Sequence, residues 1–296
     1  MNSVKTKESY NRNEVIAGYL LILPAMVLFA VFFIYSLGQA VHYSLLDWSG
    51  VGASTYIKWQ NYVEIFHDSV FWGSFINNWY YAFGIIMLGV LPGMILAYLL
   101  SLPYIKGRTA FRSIYFFPRI VSAVVYGTVW IWILDPRKGL LRKITDLLGM
   151  ESVAVLGSTS TAMTGICVIG GWTYFGFCMV TFLAAFMAVD TTMQESAIID
   201  GATRFQIFWK IIIPEIKPVI NMMIVYTIID SFKVYDLVLV TTGGGPNNAT
   251  QIMTYYIYKQ AFEFNRFGYG SACSIVLGIC MIIFTVLYNK YLDRED

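Results

Sequence analysis

The chain has 296 residues, 57% of them hydrophobic and only 13% charged, with a formal net charge of +2 and a mean hydropathy of +0.62. A single soluble core cannot enclose that much apolar side chain, so the composition excludes an ordinary water-soluble domain and points to the bilayer as solvent. The slight positive balance, with no basic run interleaved with aromatics outside short polar loops, argues against a nucleic-acid partner.

In chain order, Lys5, Lys7 and Arg12 precede an apolar stretch that is too long for a signal peptide and has no small-residue cleavage site after it. It is therefore expected to be a retained first helix behind a tail of residues 1–14. The stretches Val15–Leu46, Val70–Ile105, Ser152–Val189 and Phe267–Asn289 contain no Lys, Arg, Asp or Glu. Each is long enough to cross a membrane, which takes roughly 20 apolar residues. Apolar runs set against polar breaks predict spans near 15–42, 75–102, 115–134, 163–188, 219–241 and 268–289. The expected architecture is all-α, a polytopic membrane protein with about six transmembrane helices, one membrane domain over residues 15–291 and a tail from 292 to 296.

Between the first two spans, Trp48, Trp59, Trp72 and Trp79 suit a loop lying on the outer membrane surface. Arg119 stands beside Pro118 about one turn inside the third span, where a long basic side chain is expected to snorkel to the interface. Cys167, Cys178, Cys273 and Cys280 fall inside spans without a CxxC pair, which predicts small buried residues and neither a zinc site nor a disulfide framework. For six spans the Lys/Arg count is eleven on the side of the termini and seven on the other, so both termini are expected in the cytoplasm. The cluster from Arg137 to Lys143 opposes that majority.

The loop from Asp190 to Pro218 looks folded. Thr192 and Glu195 have capping-box spacing, Gly201 permits a sharp bend, and Phe205, Phe208, Trp209 and Ile212 recur at helical spacing as one apolar face. Pro214 is expected to stop that helix, and Pro218 to open the next span. Such a helix pair would either lie in the lipid interface or dock on a partner protein.

Asp230, Lys233 and Asp236 fall in the fifth span, where ionisable groups are costly unless they face a cavity or one another. At i and i+3, Asp230 and Lys233 are spaced for an ion pair, structural against a partner or bordering a solute path. Tyr226 stands on the same face, and an aromatic plane beside hydrogen-bonding groups suits a polyol. Tyr126, Trp130, Trp172 and Tyr174 are weaker aromatic candidates. His42 and His67 are isolated, and no nucleophile–base pair or metal-ligand spacing appears, so neither an enzyme nor a metal site is expected.

The run Glu195-Ser196-Ala197-x-x-Asp200-Gly201-Ala202, followed by Phe208, Ile211, Pro214 and Pro218, resembles the EAA loop of binding-protein-dependent ABC importers. Ser196 stands where alanine is usual, and Asp190 near where a proline commonly precedes the motif. The resemblance implies a cytoplasmic coupling helix within 190–218 that seats in a cleft on a separate ATPase, with Glu195, Ser196, Ala197, Asp200, Gly201, Ala202, Phe208 and Pro214 as coupling residues. Phe232-Lys233-Val234-Tyr235-Asp236 and Thr242-Gly243-Gly244-Gly245-Pro246-Asn247-Asn248-Ala249-Thr250 resemble the segment after the fifth span in sugar permeases of the maltose and glycerol-phosphate type, nearest to the larger maltose membrane subunit. Gly107, Phe111, Arg112 and Pro118 fit the same pattern. The glycine-rich run lacks a following GK[ST], so it predicts a turn-rich extracellular loop and no nucleotide site. The resemblance implies a multi-pass cell-membrane permease that pairs with a second related permease, two ATP-binding subunits and an extracytoplasmic solute-binding protein, and that moves a sugar or polyol. It implies no cofactor on this chain, the ATP–Mg being held by the ATPases. The alternative is a secondary transporter driven by an ion gradient through Asp230, Lys233 and Asp236.

Overall fold

The computed structural model of the protein describes residues 12–102 and 104–292. Lys5, Lys7 and Arg294 of the predicted tails lie outside the described residues. In order, the helices are α1 (Ile16–Tyr43), α2 (Gln60–His67), α3 (Ser69–Ser101), α4 (Arg108–Ile120), α5 (Ala123–Ile133), α6 (Leu140–Leu147), α7 (Ala162–Ala188), α8 (Thr191–Ile199), α9 (Arg204–Glu215), α10 (Lys217–Ser231), α11 (Asp236–Thr241), α12 (Met253–Tyr258) and α13 (Phe267–Leu292). Strands β1 (Leu46–Asp47) and β2 (Thr55–Tyr56) pair antiparallel with Leu46 opposite Tyr56.

The described residues fall into two compact units, one within 12–66 and 260–278 and one within 67–259 and 279–292. In the first, Asn61 Nδ2 donates to the carbonyls of Ser44 and Leu46 at 2.9 and 3.0 Å, closing the turn below α1, and Arg266 grips both carboxylate oxygens of Glu64. Tyr43, Trp48 and Phe267 stack around that turn. The α1 side chains are almost all exposed, as a lipid-facing helix requires.

The second unit is built around α7, whose face from Ile166 to Phe186 is the core. Gly89 and Gly93 of α3 lie against it, where added Cβ atoms would press on Tyr174 at 2.9 Å and Cys178 at 2.8 Å. This small-xxx-small spacing lets two backbones close up without a hydrophobic driving force in lipid. Cys167 and Cys178 are buried in this packing, as expected of small apolar residues.

The spans differ from the predicted ones where helices break. Four helices, α1, α3, α7 and α13, are each long and apolar enough to cross, and two more spans arise only by joining bent pairs, α4 with α5 at 96° and α9 with α10 at 65°. The third predicted span is thus kinked at Val121–Ser122, and the fifth ends its first helix at Ser231 and restarts at Asp236. The second starts earlier than predicted, at Ser69, because Asp68 caps it by accepting from the backbone of Val70 and Phe71. Trp72 and Trp79 are therefore helical rather than part of a surface loop, and Trp79 packs on Phe232 and Phe284.

Pro214 does not stop α9, which runs to Glu215. A proline cannot donate to the carbonyl four residues back, and the ladder is relieved by a π-helical turn at Phe208–Ile212; the turn at Ile86–Val90 precedes Pro92 in the same way. Pro218 does occupy the first turn of α10.

Candidate functional site

Two features stand out in the second unit, a charged cavity at the helix breaks and an exposed helix pair at 190–215.

The cavity holds about 300 Å³ and is lined by α4, α5, α7 and the Asp230–Leu237 segment. Its charged groups are Arg119, Asp230, Lys233 and Asp236. Arg119, in the last turn of α4, does not snorkel away. Its guanidinium lies 4.5 Å from the centre of the Tyr174 ring and 5.3 Å from that of Phe177, and it reaches Asp230 Oδ2 at 3.4 Å and the Tyr226 hydroxyl at 3.5 Å. Tyr174 Oη also donates to the Asp230 carboxylate. The Asp230–Lys233 ion pair expected from spacing is therefore replaced by Arg119–Asp230, with each side chain 28% exposed. The reason is local: α10 ends at Ser231, so Lys233 leaves the helix in a turn and no longer shares a face with Asp230. Lys233 and Asp236 still face the cavity, while Tyr226 lines a neighbouring groove of about 610 Å³ with Pro218 and Met222.

Tyr126 and Tyr174 line the cavity, whereas Trp130 and Trp172 pack edge to face on each other at 5.7 Å. Thr173 and Tyr81 complete the wall. Neither Arg119 nor Tyr81 was an expected site residue. An Arg beside a Pro in an otherwise apolar run was the available signal for Arg119.

Irregular backbone at membrane depth is tolerated only where its freed polar groups find partners. Here the carbonyl of Ser231 accepts from Asn78 Nδ2 at 2.8 Å, and that of Phe232 from Thr254 Oγ1 at 2.7 Å. Asn78 Oδ1 in turn accepts from the Met253 backbone at 2.8 Å. The glycine-rich loop is thus no slack turn: Thr250 Oγ1 sits 2.7 Å from Thr242 Oγ1 and donates to Gly245, Asn77 donates to Asn248 and Gln251, and Thr250 to Met253 are buried. Asn78→Ala should lower the unfolding midpoint in detergent, because two buried backbone groups lose their partners at about 1–3 kcal/mol each. An unchanged midpoint would show that Asn78 does not hold the break.

The second feature is the α8–α9 pair. α8 starts at Asp190 rather than at a Thr192–Glu195 box: Asp190 Oδ1 accepts from Thr192 at 2.8 Å, which holds its carboxyl below the usual range. The capping box lies at the next helix, where the Thr203 backbone donates to Gln206 Oε1 at 2.8 Å and the Gln206 backbone to Thr203 Oγ1 at 3.3 Å. Between the helices Gly201 has φ +82°. Ala202 N bonds Ala197 O at 2.9 Å and Gly201 N bonds Ile198 O at 3.0 Å, the 6→1 and 5→2 pattern of a Schellman close.

The expected aromatic stripe is split. Phe208 rests on Tyr98 at 4.4 Å between centroids, Ile207 and Ile212 are buried beside it, and Phe205 and Trp209 are 73% and 52% exposed. The core-facing set is Ile207, Phe208, Ile211 and Ile212, at i, i+1, i+4 and i+5, while Phe205 and Trp209, at i and i+4, share the exposed side. Glu195, Ser196, Asp200 and Gly201 are exposed, Ala197 and Ala202 half-buried, and Met193, Ile198 and Ile199 add apolar surface with nothing from the described residues over it.

Residues 89–295 match the family model for the binding-protein-dependent transport system inner membrane component. The chain is 32% identical over 285 residues to the probable ABC transporter permease protein YurN of Bacillus subtilis, covering 95% of this chain and 97% of that one. It is 29% identical over 290 residues to the trehalose/maltose transport system permease protein MalF of Thermococcus litoralis, covering 98% and 97%. Among solved structures, it superposes with a TM-score of 0.84 and 21% identity on a chain of a bacterial alginate ABC transporter in complex with an alginate pentasaccharide-bound periplasmic protein, covering 95% and 96%.

Proposed function

We infer the role of this chain from one premise: it belongs to the family of binding-protein-dependent transport system inner membrane components. It is a membrane-embedded permease subunit of an ABC importer and not an enzyme, the ATPase activity of such systems lying in partner subunits. The gradient-driven alternative falls with that assignment.

Beyond the premise, we propose that the chain moves a neutral sugar or related polyol along a path bordered by the Arg119–Asp230 cavity. The observation that carries this reading is the meeting of two helix breaks, between α4 and α5 and between α10 and α11, at one charged cavity; helices interrupted at membrane depth are the recurring way to turn backbone and side-chain polar groups toward a solute. Two cations against two carboxylates, with Tyr126 and Tyr174 alongside, suit hydroxyl groups and an apolar sugar face better than a net anion. The trehalose/maltose name of one relative supports the same class. Copurifying the complex with its solute-binding protein and identifying the retained ligand by mass spectrometry tests the reading; a saccharide or polyol is expected, and an amino acid or inorganic ion would overturn it.

The full assembly in this reading has a second related permease, two ATP-binding subunits holding ATP–Mg on the cytoplasmic face, and an extracytoplasmic binding protein. The chain itself holds no cofactor. The exposed α8–α9 knob, with Glu195 to Ala202 on it, is the surface that docks on an ATPase; Phe208 and Pro214 act from behind, one seating α9 on Tyr98 and the other in its final turn. Both termini and Gly201 then lie in the cytoplasm and Lys58 and Asn247 outside the inner membrane. Single cysteines at 58 and 247 should react with an impermeant maleimide on intact cells, and labelling of 58 only after permeabilisation would overturn the orientation.

A further inference from the structure

The segment 135–153 has no part in the cavity or the α8–α9 knob, yet it is tightly built. Asp135 Oδ1 accepts from the backbone of Arg137 and Lys138, each at 2.8 Å, and turns the chain out of α5 into α6. Gly139 sits where a Cβ would be 2.6 Å from the carbonyls of Asp135 and Ile133, so the turn cannot be loosened by an ordinary residue. At the other end Gly149 takes φ +68°, Met150 N bonds Thr145 O at 2.9 Å, and Ser152 Oγ returns to Pro136 O at 2.9 Å. Both ends of α6 are therefore fixed by the segment's own hydrogen bonds.

What that rigid element presents is an uncovered apolar face. Leu140, Ile144, Leu147 and Leu148 recur at i, i+4, i+7 and i+8 on one side of α6, and no residue of the helix is buried; Leu147 is 87% exposed. Arg142 pairs with Asp146 at 2.8 Å on the opposite side. With Asp135 turned to the backbone, Arg137, Lys138 and Lys143 are exposed and none forms an ion pair among the described residues. The position follows from α5, which ends at Ile133 with Trp132 exposed, the place an indole takes at the membrane–water boundary. One short turn later α6 begins.

We propose that α6 is an interfacial anchor for anionic phospholipid: its apolar face lies among the first acyl carbons while Arg137, Lys138 and Lys143 hold headgroup phosphates. A short amphipathic helix with cations beside its apolar face, fixed just beyond the end of a span, matches the chemistry of that boundary layer on both counts. It also gives the Arg137–Lys143 cluster a purpose separate from topology.

The test places an environment-sensitive NBD group on Leu147→Cys in the full chain, reconstituted with its copurifying subunits into phosphatidylcholine liposomes with or without phosphatidylglycerol. A chain without the added cysteine supplies the background. Emission should be blue-shifted and quenched by lipid brominated near the headgroup end of the acyl chain. At equal mole fraction, brominated phosphatidylglycerol should quench more than brominated phosphatidylcholine. R137Q/K138Q/K143Q should abolish that difference, each cation being worth about a fivefold enrichment. Should the triple variant not assemble, the comparison of the two brominated lipids on native charges still decides the matter. Iodide quenching of a water-exposed label would overturn the proposal. A buried label that no brominated lipid reaches would assign the face to a protein partner and overturn it, and equal quenching by both lipids would overturn the anionic preference.

Discussion

A Gly201→Val chain should insert and fold yet lose transport and the stimulation of ATP hydrolysis by loaded binding protein. Gly201 holds φ +82°, a region closed in practice to a β-branched residue. No described atom lies within 4 Å of an added Cβ, so the variant meets no internal clash and no spanning segment is disturbed. The cost falls on the angle between α8 and α9, set by the Schellman close on one side and the Thr203–Gln206 box on the other. Restoring that angle against about 1–3 kcal/mol of backbone strain lowers the docked population by roughly 5- to 150-fold. Gly201→Asn is the control, since asparagine tolerates the left-handed region and should keep most activity. Copurification tells a lost ATPase from one held uncoupled, and normal solute-stimulated hydrolysis by the valine chain would sink the role given to this loop.

The second large effect is expected at the cavity. Arg119→Met leaves the Asp230 carboxylate with the Tyr174 hydroxyl as its remaining donor, and Asp230→Asn leaves a guanidinium between two aromatic rings. At 28% exposure on each side the cost of either orphan charge lies between about 1 kcal/mol for an exposed pair and about 3–5 kcal/mol for a buried one. Thermal stability should therefore drop in each single variant and recover in part in the double one. Uptake should fall at least tenfold in all three, because the solute loses the groups proposed to meet it. Lys233→Met should cost less stability than Arg119→Met, since Lys233 is not the partner of Asp230. Full uptake by Arg119→Met would remove the pair from the path.

Most of the six spans were legible because absence of charge over twenty or more residues, as in four of them, has few explanations other than lipid. Their breaks were not: an apolar run such as Phe116 to Leu134 carries the same hydropathy straight or bent by 96°. Arg119 was misread for a related reason. Its partner is 111 residues away, and local spacing offered snorkelling as the cheapest account. At the coupling loop the S/T-x-x-E/Q pattern fits three times, at Thr191, Thr192 and Thr203, and spacing alone could not reveal that Asp190 starts the first helix. Gly201 was readable because its bend needs a conformation few other residues adopt. Likewise Asn78 had no signal, since its acceptor and donor lie 153 and 175 residues downstream.

Those two bonds of Asn78 have a mechanical consequence. One side chain in the first third of α3 clamps the end of α10 and the start of α12, with Thr254 as a second rivet on Phe232. The broken end of α10 is thereby a stiff corner, and bending there would forfeit several buried hydrogen bonds at once. Compliance is expected instead at the elbow at Ile216, where α9 meets α10 at 65° and the Ile216 backbone bonds Ile212, Val219 and Ile220. Force arriving from the α8–α9 knob should pivot α10 as a lever about that elbow and carry the corner along intact, so the Met253 amide should resist hydrogen exchange throughout turnover.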